Sequence, residues 1–322
     1  MISLLKLFAG ILVLVITLKL SSSTYQDHSP VYTGDSTSFM PLISDTNGME
    51  TAWDFPRNPL TDSLLQNSYL ADQIRFGFRI FVDTSNGASR FSANKLTCTN
   101  CHINAGQRER ALPLVGVAGM YPEYNRRGGR LFSLEDRIVE CFKRSIDASE
   151  TKHNTDSNYY NEADAFPTTD SKEVLALSAY ITWLSSGYPV GKNIPWRGQN
   201  FIPRDSLIPV DKLDPKRGEV LYMERCINCH DENGQGVEIG DKKAGPLWGS
   251  DSWNDGAGAA RIYTLAGMFR YSMPYQDPGS LTDEEAQLIA AFINSKPRPR
   301  YPFKDKDYPG EKIPPDAVYY RR

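Results

Sequence analysis

Two stretches of this 322-residue chain share one five-residue arrangement: Cys98-Thr99-Asn100-Cys101-His102 and Cys226-Ile227-Asn228-Cys229-His230. In C-x-x-C-H the two thiols are spaced to add to the vinyl groups of a haem, and the histidine that follows is held under the iron as its proximal ligand. A zinc site would need four ligands, and beyond these motifs the chain offers one further cysteine and two further histidines. A thioredoxin-like redox pair would sit in a β-α-β pattern, which the sequence lacks. The motifs therefore imply two covalently bound haem c groups, attached at Cys98, Cys101, His102 and at Cys226, Cys229, His230.

Each iron has a sixth position to fill. Met273 lies 43 residues after His230 and precedes Pro274, which fixes a turn able to hold a thioether over a metal. Met268 is the alternative, but it falls in a helical stripe where methionine usually packs. For the first haem the candidates are Cys141, Met120 and His153. Cys141 lies 39 residues after His102, close to the Met273 spacing, so the duplication itself nominates it; an inert buried thiol is the bland alternative.

Around that cysteine stand Arg126, Arg127, Arg130, Arg137, Lys143 and Arg144, six cations between 126 and 144 where composition would place about two. Arg137, one helical turn before Cys141, shares its face and suits bidentate recognition of a small divalent anion. Arg126, Arg130 and Lys143 read as a solvated face. Across the whole chain 36 basic residues against 39 acidic ones leave a net charge of -3, which excludes a general nucleic-acid binder.

The elements that must position these groups read as all-α, in two cytochrome c-like domains joined by a proline-rich linker. Residues 1–23 form an apolar leader, a signal peptide or N-terminal anchor, which implies an exported, periplasmic protein, soluble or tethered to the inner membrane. An irregular extension covers 24–62, domain 1 covers 63–187, the linker 188–215, domain 2 216–297 and a surface tail 298–322. Helices are expected over 64–81, from Ser133 with a capping box to Asp136, over 171–185, 217–225, 258–270, and from Thr282 with a box to Glu285.

The runs FGFRIFVDT (76–84), NKLTCTNCHINAG (94–106), YPEYNRRGG (121–129), SLEDRIVECFKRS (133–145), GPLWGSDSWNDGAGAAR (245–261) and AGMFRYSMP (266–274) closely resemble dihaem thiosulfate dehydrogenases. The resemblance implies oxidation of two thiosulfates to tetrathionate, reversible in some members. Electrons would pass to a redox partner such as a cytochrome c or a high-potential iron-sulfur protein. It also implies His102 with Cys141 at the active-site haem, His230 with Met273 at the electron-transfer haem, Arg127 and Arg137 on substrate oxygens, and Ser145 in the same pocket.

Two positions depart from the family. The cysteine helix commonly continues R-S-M-N-G, where this chain has Arg144-Ser145-Ile146-Asp147-Ala148, and a lysine found in some members before the methionine is Ser272 here. Two rival readings stay open at this point: a dihaem electron carrier without catalysis, and another sulfur enzyme with a cysteine-ligated haem.

Overall fold

The computed structural model describes residues 57–66, 69–92, 96–146, 166–239 and 242–320. The expected leader, most of the 24–62 extension, Asp147 and His153 lie outside the described residues. Among the described residues, six helices longer than a single turn carry the fold. Helix α1 (Ala71–Val82) buries Ile74, Phe78 and Phe81. It starts later than the four-residue spacing suggests, because Leu70 sits at the cap, 37% exposed, and Ser63–Leu65 form a separate 3-10 turn.

Helix α2 (Leu134–Arg144) opens on the expected box: Asp136 N donates to Ser133 Oγ at 3.1 Å and Ser133 N to Asp136 Oδ2 at 3.0 Å. Its apolar side, Ile138, Val139 and Phe142, is buried, which fixes the rotation that carries Cys141. Helix α3 (Lys172–Leu184) buries Val174, Leu177, Ile181 and Leu184, as the periodicity requires. In the second half, α4 (Pro215–Arg225) is capped by Asp214, α5 (Ile262–Ser272) precedes Met273, and α6 (Asp283–Ile293) starts from the Thr282–Glu285 box.

The two halves repeat one helix crossing. Helix α1 meets α3 at Gly77, where an added Cβ would stand 1.9 Å from the Ala176 carbonyl oxygen. Helix α4 meets α6 at Gly218, where it would stand 2.0 Å from that of Leu288. Backbone on both sides leaves nothing that can yield. Gly218→Ala is therefore expected to lower unfolding stability by at least about 1–3 kcal/mol. Gly258→Ala, which meets nothing within 4 Å, serves as the near-neutral control in the same denaturation experiment. Equal stability of the two variants would mean that the crossing is looser than described.

Strand content is small, and none was expected. Strands β1 (Glu123–Asn125) and β2 (Arg130–Phe132) form an antiparallel hairpin with Tyr124 opposite Leu131. Its turn presents Arg126 and Arg127. A further pair joins Glu238–Ile239 to Lys242–Lys243.

Residues 188–214 contain no α-helix, only the 3-10 turns Arg204–Ser206 and Val210–Lys212, and they pack inward through Ile202 and Leu213. The tail after Lys296 does not simply lie on the surface: Tyr301, Tyr308, Asp316 and Tyr319 are buried, because its acids find arginine partners beneath it. One continuous apolar core runs through both halves, from Leu65 to Tyr319. Among the described residues no helix is long and apolar enough to cross a membrane.

Candidate functional site

The first motif lies on a single helical turn, Cys98–Cys101, stabilised by Thr97 N donating to Asn100 Oδ1 at 2.7 Å. Three-residue spacing on a turn puts both sulfurs on one side. Cys98 is further fixed by Thr84, whose Oγ1 accepts from its backbone N–H at 3.2 Å. His102 follows, its Nδ1 2.6 Å from the Leu112 carbonyl oxygen. That contact makes Nδ1 the N–H and leaves Nε2 with a free lone pair, the tautomer a metal needs. Burial pulls the His102 pKa down to about 4, so the ring is neutral and ready to ligate.

The second motif repeats the arrangement, with His230 Nδ1 3.2 Å from the Gly245 carbonyl and its pKa again lowered by burial. It opens into a cavity of about 850 Å³ lined by Cys226, Cys229, His230, Met273, Phe269 and Ile289. Met273 thus faces the histidine's cavity, whereas Met268 is buried within α5 and is absent from that lining. Asn100 and Asn104 of the first half complete the wall. Two further bonds join the halves here: Asn100 Nδ2 to the Lys243 carbonyl and Tyr275 Oη to Asn104 Oδ1, both 3.2 Å. The donor sets fit covalent haem twice: paired thiols, an adjacent histidine with Nε2 open, and at the second motif a thioether across a cavity.

Cys141 lies beside the first motif. Burial pushes the Cys98 and Cys101 thiols up to about 12, and the Cys141 sulfur adds to the rise at both. Arg137 Nη1 donates to Cys141 Sγ at 3.5 Å, and that sulfur is the main influence raising the Arg137 pKa. Tyr121, whose hydroxyl burial pushes up to about 12, feels both groups. Of the other candidates, Met120 has its sulfur 3.8 Å from Arg197 Nη1.

Beside this cluster opens a second cavity, about 580 Å³, which brings together Arg127, Arg137 and Ser145, the three residues singled out for substrate. Arg127 is held by Nη1 donating to the Gly256 carbonyl at 2.6 Å. The six-cation run divides. Arg126 lines the cavity rather than a purely solvated face, whereas Arg130 forks onto Asp136 at 3.0 and 2.7 Å and Lys143 sits over Phe166.

Arg144 also lines the cavity but is held by carboxylates, each Nη donating to Asp307 at 2.7 Å and Nε to Glu140 at 2.7 Å. Burial works against its charge, but those carboxylates more than offset it and its pKa lies above the ordinary value. Arg197, Arg261, Lys312 and Tyr308 also line the cavity and were not found from sequence. Of these, only Arg261 belongs to a run that carries the family resemblance, ending NDGAGAAR. Arg197 and Arg261 pair with Glu123 and Asp316 at 2.7 and 2.8 Å. Arg126, Arg127, Arg137 and Lys312 have no carboxylate partner within 4.0 Å among the described residues, and the cations of the lining outnumber its two carboxylates, Glu140 and Glu311, so the lining is net positive.

Fold and sites together define a dihaem c-type cytochrome, with two covalently bound haem c groups in two cytochrome c domains. Residues 88–190 match the SoxA/TsdA cytochrome c domain and residues 213–293 match cytochrome C oxidase, cbb3-type, subunit III. The chain is 36% identical over 245 residues to the thiosulfate dehydrogenase of Stutzerimonas stutzeri, covering 76% of this chain and 73% of that one. It is 36% identical to that of Allochromatium vinosum, covering 74% and 83%. Among solved structures it superposes on thiosulfate dehydrogenase (TsdBA) from Marichromatium purpuratum with a TM-score of 0.66 at 31% identity, over 75% of this chain. It spans 49%, about half, of that chain's length. The chain belongs to the thiosulfate dehydrogenase family.

Proposed function

We propose that this chain couples two thiosulfate dianions, sulfane sulfur to sulfane sulfur, into one tetrathionate dianion and releases two electrons. The observation that carries the reading is Arg137, 3.5 Å from the Cys141 sulfur, beside a cavity whose unpaired cations are Arg126, Arg127, Arg137 and Lys312. Two like-charged anions must be brought into contact, and fixed guanidiniums offset that repulsion while orienting the reacting atoms. Arg127 and Arg137 hold sulfonate oxygens, Ser145 lines the same pocket, and Cys141 presents a soft sulfur beside the first motif.

His102 with Cys141 would hold one haem, and His230 with Met273 the other. When bound, these groups accept electrons one at a time. A Cys141 thiolate would hold its group at a lower potential than the neutral Met273 thioether would hold the other, and that difference would give transfer its direction. The electrons then leave to a redox partner such as a cytochrome c or a high-potential iron-sulfur protein. The apolar segment 1–23 supports export to the periplasm, with or without retention as a tether.

The test is anaerobic mixing of the oxidised holoprotein with thiosulfate while haem absorbance is followed, then assay for tetrathionate. Haem reduction with tetrathionate formed at one per two electrons is expected. Unchanged absorbance would leave an electron carrier. Reduction that requires a protein co-substrate would point to a sulfur transferase.

A further inference from the structure

We propose that the C-terminal segment 307–314 is a wall of the anion cavity, and that Tyr308 is the positioning residue that sets Arg127. The inference rests on that cavity being the thiosulfate site. Residues Tyr308, Glu311, Lys312 and Pro314 line the cavity, although they lie well over a hundred residues beyond Arg127 in sequence. Two buried carboxylates hold the segment in place. Asp307 receives both Nη groups of Arg144 and the hydroxyl of Tyr320, and Asp316 receives Arg261 Nη2 at 2.8 Å and Tyr263 N at 3.1 Å.

Between these anchors the segment grips the hairpin turn that carries Arg127. Tyr308 N donates to the Arg127 carbonyl at 2.8 Å, and the Tyr308 ring lies beneath the Arg127 guanidinium, 5.7 Å from centroid to Cζ. The ring is itself braced edge-on by Tyr320 at 5.7 Å. Pro309 closes against Gly129 in the same turn, where an added Cβ would come within 2.4 Å of the proline ring. Tyr308 holds φ +59, in the left-handed region that a non-glycine residue enters only where its surroundings impose it. The backbone of Arg127, one face of its guanidinium and the turn beside it are therefore all fixed by the tail.

A free arginine surrenders rotamer entropy when it closes on an anion, and one already held surrenders less. Loss of the ring should therefore weaken substrate capture and leave the chemical step alone, the signature of uniform binding. Steady-state thiosulfate oxidation by the holoprotein tests this. Tyr308→Ala is expected to raise KM about 3- to 10-fold with kcat and the haem spectrum unchanged. Tyr308→Phe, which keeps the ring, should recover most of the affinity. Arg127→Lys combined with Tyr308→Ala should be no worse than Arg127→Lys alone, because both changes remove the same interaction.

If the alanine variant does not accumulate as holoprotein, Tyr308→Leu fills the space without a π face and carries the same comparison. A KM unchanged in the variant that folds, or losses that simply add in the double variant, would overturn the inference while Arg127→Lys still raises KM. If Arg127→Lys itself leaves KM untouched, the cavity is not the thiosulfate site and the underlying reading falls instead.

Discussion

Cys141→Gly is expected to retain both haems and to lose thiosulfate oxidation by at least about 100-fold, since groups acting as one unit fail together when one is removed. Retention follows from position. Attachment would be made through Cys98, Cys101, Cys226 and Cys229, none of which depends on α2 for its turn. Helix α2 should also survive, because glycine inside a helix costs about 1 kcal/mol, and the Ser133–Asp136 box with buried Ile138, Val139 and Phe142 remains. What disappears is the soft sulfur and the hydrogen-bond partner of Arg137. The measurement is turnover with an artificial electron acceptor beside a haem-stained gel and a pyridine haemochrome assay. Near-normal turnover with two haems present would remove Cys141 from the chemistry.

Asp307→Ala should be the most destabilising of the tail substitutions. Both members of the Arg144–Asp307 pair are almost inaccessible, with side chains 7% and 4% exposed. Removing the carboxylate leaves a buried guanidinium with Glu140 as its remaining anionic partner. Breaking one side of a buried pair costs about 3–5 kcal/mol, more than the pair contributes relative to an apolar replacement. For a chain of this size that corresponds to a fall on the order of 6–12 °C in thermal midpoint. Calorimetry of the holoprotein checks it, and a fall below about 2 °C would mean that water reaches Arg144 and that the tail is not clamped. Asp307→Asn should lie between the two, since the amide oxygen accepts one of the two bonds.

The features legible in the sequence are those written in neighbouring residues. A five-residue motif forms a single helical turn in the first half, the Ser133 and Thr282 boxes mark two helix starts, and the four-residue stripe of α3 marks its buried side. The arginine-lined cavity was legible only where its residues lie on α2, at its C-terminal end or on the hairpin turn before it, as Arg137, Ser145 and Arg127 do. Arg197, Arg261, Lys312 and Tyr308 reach it from segments whose local pattern says nothing of each other.

Arg144 illustrates the converse. Helical spacing set it near Cys141, yet its partner Asp307 lies 163 residues away, in a stretch whose prolines and charges read as solvated. The hairpin was missed because three-residue strands have too few positions to display alternation.

The 850 Å³ cavity at the second motif borrows Asn100 and Asn104 from the first half. A C-terminal half produced alone would have a complete C-x-x-C-H but an unroofed basin, wet on the side those residues close. Water stabilises the more highly charged ferric centre, so solvent entry drives a haem potential downward. The oxidising strength of a haem held there would in that sense depend partly on the first half. Severing the chain would yield a poorer electron acceptor as well as a less stable protein.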